Sequence, residues 1–190
     1  MSMTKVTVED IILGNDRRGI SILKPYLPLG YCKDAALSVL NSSGTAFIVT
    51  GFFIVNANSP ETDGPPGAVA IARALKRLGY KVYFITDQYS LDLMQKLSGN
   101  NNAVIDFPIS GDTESQKFAL ELITEYNPSL IISIERCGRT AEGTYLNMYG
   151  TDISEYNAKI DYLFYSHPKT IGIADGGNEI GMGNYADIIS

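Results

Sequence analysis

Asp175, Asn178 and Glu179 stand among four glycines in the stretch Asp175-Gly-Gly-Asn-Glu-Ile-Gly-Met-Gly183. A structural turn needs one or two glycines; a larger number lets backbone N–H groups approach a ligand with no Cβ in the way. Two carboxylates in that setting predict a site for a polar small molecule or a metal ion. Further charged and hydroxyl groups gather in Thr50-Gly51, in Glu61-Thr-Asp-Gly-Pro-Pro-Gly67, in Thr86-Asp87 and in Glu135-Arg-Cys-Gly-Arg139.

Each of these has more than one reading. Pro65 and Pro66 suit a first helical turn, where a missing N–H costs nothing. The amides of Gly67 and Ala68 are then expected to offer a helix N-terminus to an anion; simple capping by Thr62 or Asp63 is the competing account. Residues 135–154 show little periodicity and carry Arg136, Arg139, Tyr145, Asn147 and Asp152 among glycines at 138, 143 and 150. Two arginines at a sheet edge suit a bidentate grip on a carboxylate or phosphate. A solvated loop whose arginines pair with Glu135 or Asp152 explains the same residues. His167, the single histidine, precedes Pro168 without a partner motif and reads as structural, and Cys137, with no activating base, reads as a small filler.

The elements that must position these groups follow from the apolar pattern. Strands are expected at 45–50, 81–86, 103–107, 130–134 and 169–174, with helices at 67–78, 91–97 and 113–126 between them. Region 1–44 reads as helical, with helices over 7–13 and 33–40 and a turn-rich break at 14–19. Tyr156, Tyr162, Tyr165, Leu163 and Phe164 are placed together on one short helix. Nearly continuous apolar strands separated by helices predict one α/β domain over 1–190. Its expected form is Rossmann-like and doubly wound: a mostly parallel sheet with helices on both faces. Ligands of such sheets collect at the carboxyl ends of the strands, so the polar segments should converge there. The glycines at 176–183 lack G-x-G-x-x-G spacing after a first strand, which speaks against a nicotinamide dinucleotide.

Composition narrows the partners. The 190 residues are 45% hydrophobic, enough for one sizeable core, and 21 acidic against 15 basic residues leave a net charge of −6. That balance, with a pI near 4.7 and no Lys/Arg cluster, argues against a nucleic-acid partner. No apolar run reaches spanning length, and Cys32 and Cys137 provide neither a disulfide framework nor metal spacing. The expectation is a soluble, cytoplasmic protein with no membrane partner.

Thr50-Gly51-Phe52, the 61–68 segment, Glu135-Arg-x-Gly-Arg139, Asn147-Met-x-Gly-x-Asp-Ile-Ser154 and the 175–183 motif, in this order, resemble the D-glutamate cyclase C-terminal domain family. That family was long catalogued as a domain of unknown function. The resemblance implies a carbon–oxygen lyase that converts D-glutamate, or a related small amino dicarboxylate, to 5-oxo-D-proline and water. It also implies a domain that continues past the last motif, so that the end at Ser190 is read as lacking the family's C-terminal part. Lactam closure calls for a base, an acid and donors or a cation on the carboxylate. The catalytic candidates are Glu135, Asp175 and Glu179. Substrate contacts are expected from Thr50, Gly51, Thr62, Asp63, Gly64, Arg136, Arg139, Asn147, Gly176, Gly177 and Asn178. The two arginines would hold the substrate carboxylates, and Asn178 with the Gly176 and Gly177 amides the developing oxyanion. The chemistry requires no cofactor, but Mg2+ or Mn2+ held by Asp87, Asp175 and Glu179 would serve equally well as the electrophile. Two other readings stand beside it: a non-catalytic nucleotide- or phosphate-binding module, and a fragment that needs a missing C-terminal half. A homo-oligomer is compatible with all three.

Overall fold

The computed structural model describes residues 6–14, 16–99 and 103–189. Asn15, within the expected break at 14–19, and Ser190 therefore lie outside the described residues. In chain order the elements are α1 (Val8–Ile12), α2 (Tyr31–Leu40), β1 (Thr45–Thr50), β2 (Phe53–Ile54), β3 (Ser59–Pro60), α3 (Pro65–Arg77), β4 (Lys81–Thr86), α4 (Gln88–Ser98), β5 (Val104–Asp106), α5 (Asp112–Tyr126), β6 (Pro128–Ile134), α6 (Asp161–Tyr165) and β7 (Thr170–Ile173).

Five strands form one sheet in the order β5-β4-β1-β6-β7, every pairing parallel. Alternate residues of each strand point to opposite faces, and both faces are covered. Ala46, Ile48, Val82, Phe84, Leu130 and Ile132 meet Ala68, Ala72 and Leu75 of α3 and Met94 of α4. Phe47, Val49, Ile85 and Ile131 meet Ala119 and Leu122 of α5 and Leu163 of α6. This two-sided burial is why the strands read as nearly continuous apolar runs. The architecture is the doubly wound α/β fold, and its strand order reverses between β1 and β6. A crevice opens at such a point because the two connections leave in opposite directions.

Some expectations shift. α3 begins at Pro65, two residues before the expected start, with Gly64 as its N-cap at a positive φ of 74°. The short antiparallel pair β2–β3 was not foreseen, since two residues per strand leave no periodicity to read. Tyr156 lies in a 3-10 turn, Ser154–Tyr156, separate from α6. Among the described residues no helix is long and apolar enough to cross a membrane.

Candidate active site

Glu135 follows the last residue of β6 and sits at φ 45°, a left-handed conformation uncommon for a non-glycine residue. Its amide still donates to the Ile173 carbonyl at 3.1 Å, so the residue is anchored by β7 as it turns out of the sheet. The chain then runs antiparallel to the 178–180 segment. Gly138 N–H donates to Asn178 O, and Ile180 N–H to Arg136 O, both at 2.8 Å. Only a glycine fits at 138, because a Cβ there would lie 2.8 Å from the Glu179 carbonyl carbon. Two motifs about forty residues apart are thus zipped backbone to backbone, which delivers Glu179 beside Glu135. From the other side Gly64 closes in: a Cβ on it would lie 2.7 Å from Glu135 Cβ.

These contacts frame a pocket of about 250 Å³ above the β1–β6 reversal. Among the described residues its walls carry five carboxylates, Glu61, Asp63, Glu135, Asp175 and Glu179, and one cation, Arg18. Asn147 and Asn178 add polar edges, while Phe52 through Val55, with Met148 and Tyr149, supply an apolar side. One oxygen each of Glu135, Asp175 and Glu179 lies within 4.8 Å of the others. Glu179 is only 5% exposed. Its Oε1 accepts from the Gly176 N–H at 2.7 Å, and its Oε2 is buried with no hydrogen-bond partner among the described residues.

The electrostatics follow from that crowding. Burial, and then the charges of Glu179, Asp175, Asp63 and Glu61, push the Glu135 carboxyl up to about 8. Glu61 is also raised, by burial first and by Asp63 next, with Arg18 acting in the opposite direction. Glu135, pushed that far up, can hold and release a proton near neutral pH.

Several expected groups are placed elsewhere. Arg136 does not reach the pocket: its guanidinium is buried, donating to Gly51 O at 2.9 Å and Ala158 O at 3.0 Å and pairing with Asp87 at 2.7 Å. That same pair removes Asp87 from any metal set, since its carboxylate also receives the Tyr89 and Ala158 amides. Arg139 turns toward α5 and α6, where it meets Asp112 at 2.9 Å and the Tyr162 hydroxyl at 3.1 Å. Neither arginine pairs with Glu135 or Asp152. Thr50 is fully buried, Thr62 is exposed outside the pocket, and Gly51 serves through its carbonyl to Arg136. The Gly176 amide is committed to Glu179, and neither Gly176 nor Gly177 lines the cavity, so the expected oxyanion cradle is not formed. The Ala68 amide is likewise bonded, to Gly64 O at 2.8 Å. Gly64 packs under Glu135, whereas Asp63 faces the pocket. Asn147 and Asn178 line it while bracing its rim: Asn147 Oδ1 accepts from the Tyr149 and Thr151 amides, and Asn178 Nδ2 donates to Leu146 O. His167, set apart as structural, bonds the Pro128 carbonyl at 2.9 Å.

The strand-end rule missed Arg18, and it gathered Glu61 only as part of the 61–67 segment, without naming it among the site residues. Arg18 comes from the N-terminal segment, on a turn held by Asp16, whose carboxylate accepts from the amides of Arg18, Gly19 and Ser21. The Arg17-Arg18-Gly19 run in a turn-rich stretch was its only trace in the sequence.

Comparison with known proteins fits this geometry. The model of the family described as "D-glutamate cyclase-like, C-terminal" matches residues 8–190. Among curated proteins, the human mitochondrial D-glutamate cyclase is 34% identical over 179 residues, which cover 83% of this chain and 29% of the human protein.

Proposed function

The chain belongs to the D-glutamate cyclase-like C-terminal family, and we propose that its acidic pocket closes a small amino dicarboxylate, D-glutamate or a near relative, into its lactam with loss of water. The α-nitrogen forms a bond to the γ-carbon, one γ-carboxyl oxygen leaves, and 5-oxo-D-proline remains. The α-ammonium gives up two protons, and both end on the departing oxygen. The reaction is therefore neutral in protons and electrons and calls for groups that accept a proton and return it. Glu135, pushed up to about 8 by burial and its acidic neighbours, has that capacity, and Glu61, raised by burial and Asp63, stands beside it.

The single observation that carries the reading is the convergence of Glu135, Asp175 and Glu179 beside Arg18 at the sheet's reversal point. The acidic wall favours the substrate ammonium, and Arg18 takes over the carboxylate contact expected of Arg136 and Arg139. The alternative of a nucleotide or phosphate ligand is disfavoured by the same wall, which repels polyanions, and by the bonded amide of Ala68. The relative named above is mitochondrial; for this chain we favour a reducing compartment, in keeping with its two free cysteines.

The test is incubation of the folded protein with D-glutamate, L-glutamate and shorter or longer amino dicarboxylates, with and without Mg2+ or Mn2+. Product is followed by chiral chromatography. Formation of 5-oxo-D-proline from D-glutamate is expected. No lactam from any of these acids, in a sample whose fold is intact by circular dichroism, would overturn the proposal.

A further inference from the structure

We propose that Glu135, Asp175 and Glu179 form a binding site for one hard divalent cation of the Mg2+ or Mn2+ class. Oxygens around such an ion, at about 2.1 Å from it, lie roughly 3 to 4 Å from one another. One oxygen of each of the three carboxylates already lies within 4.8 Å of the other two. Asp175 is the exposed member, with 56% of its side chain accessible, and can supply the remaining adjustment by rotation. All three donors are carboxylates, a set that suits Mg2+ or Mn2+ over softer ions.

A second and independent observation comes from Glu179. Its side chain lies in the pocket wall and is pinned by the Gly176 amide on Oε1, while Oε2 is buried with no partner among the described residues. A buried carboxylate oxygen left without a partner is costly, and native proteins rarely tolerate one without an ion, water or ligand to satisfy it. A cation bound on that oxygen and shared with Glu135 and Asp175 would satisfy it. The set differs from the one expected from the sequence by exchanging Asp87 for Glu135, because Asp87 is already neutralised by Arg136.

The inference deepens the cyclase reading, on which its role in catalysis rests. A substrate with two carboxylates would otherwise meet five carboxylates and, among the described residues, a single arginine. A bound cation would offset two of those negative charges and would withdraw electrons from the γ-carboxyl.

The test needs no turnover. The full chain, stripped with chelator, is titrated with Mn2+ while the free-ion signal is followed by electron paramagnetic resonance, and Mg2+ is then added as a competitor. One Mn2+ per chain is expected, displaced by Mg2+. Glu179→Gln and Asp175→Asn should each weaken binding tenfold or more, and Asp152→Asn, outside the pocket, should not. Asp175→Asn alters an exposed side chain and keeps the test valid should Glu179→Gln fail to fold. The absence of saturable binding, or unchanged affinity in Asp175→Asn and in any Glu179→Gln that folds, overturns the proposal. Because binding is read directly, this result is separable from the presence or absence of cyclase activity.

Discussion

Arg136 Nη1 lies 2.7 Å from Asp87 Oδ2, and the two side chains are only 1% and 2% exposed. The pair fastens the end of β6 to the end of β4, and through the Gly51 and Ala158 carbonyls it also holds the exit of β1 and the segment before α6. Removing one partner strands the other charge in the interior, which costs about 3–5 kcal/mol. Arg136→Ala is therefore expected to lower Tm sharply or to prevent folding. A normal Tm accompanied by lost substrate binding would instead return Arg136 to the role of a substrate clamp.

Gly138 carries a second structural prediction. The antiparallel contact with Glu179 leaves no room for a methyl group, and relief requires backbone movement. Gly138→Ala should cost about 1–3 kcal/mol, in the range of overpacked sites. It should also degrade whatever binding depends on the spacing of Glu135 and Glu179. Gly183→Ala is the control, since nothing lies within 4 Å of an added Cβ there. Equal Tm values for the two variants would show that the two motifs are less tightly joined.

The cysteines differ in a way that chemistry can read. Burial pushes the Cys137 thiol up to about 12, and the residue is fully inaccessible. Cys32 is only partly buried. A thiol reagent such as DTNB at pH 8 should modify one cysteine, Cys32, in the native protein and both in denaturant. Rapid native-state modification of Cys137 would contradict its place in the core.

The N-terminal turn should respond to acid. The Ser21 amide first, and the neighbouring amides with it, hold the Asp16 carboxyl down to about 2 from its ordinary 3.8. A depressed folded value means that the carboxylate supports the turn at any pH above about 4, and that this support is lost as the pH falls through about 2. Asp10, lowered to about 2 chiefly by Lys24, adds to the same window. Amide exchange at Arg18, Gly19 and Ser21 is expected to quicken between pH 4 and 2 relative to the intrinsic rate, and Asp16→Asn should show the faster exchange already at pH 6. Unchanged protection across that window would show that other contacts hold the turn.

The fold was legible because burial on two faces writes itself into strands such as Ala46 to Val49 and Leu130 to Ile132, where every residue is apolar. Glu135, Asp175 and Glu179 were legible for a related reason: the strand-end rule gathers whatever follows β6 and β7. Arg136 and Arg139 were misplaced because residue type cannot say which way a side chain leaves the backbone. One residue past Glu135, the direction reverses into the sheet's interior, and the partners that decide it, Asp87 and Asp112, lie far off in sequence. Arg18 escaped because it reaches the pocket from outside the sheet, where no periodicity leads to it.

Arg18 is the last case in which role and stability can be separated. Its guanidinium lies 3.9 Å from Asp175 Oδ1 and 4.0 Å from Met148 Sδ, and 42% of its side chain is exposed. Contacts that loose contribute about 0–1 kcal/mol to folding, so Arg18→Ala should leave Tm nearly unchanged. If the lyase reading holds, the same variant should raise KM for D-glutamate tenfold or more, since it removes the cation that faces the substrate carboxylate among the pocket-lining residues. Arg18→Lys should recover part of the loss, as charge is kept and the bidentate fork is not. A KM unaffected by both substitutions would mean that the substrate enters without meeting Arg18, and the acidic trio would then have to bind it through the ammonium or a metal alone.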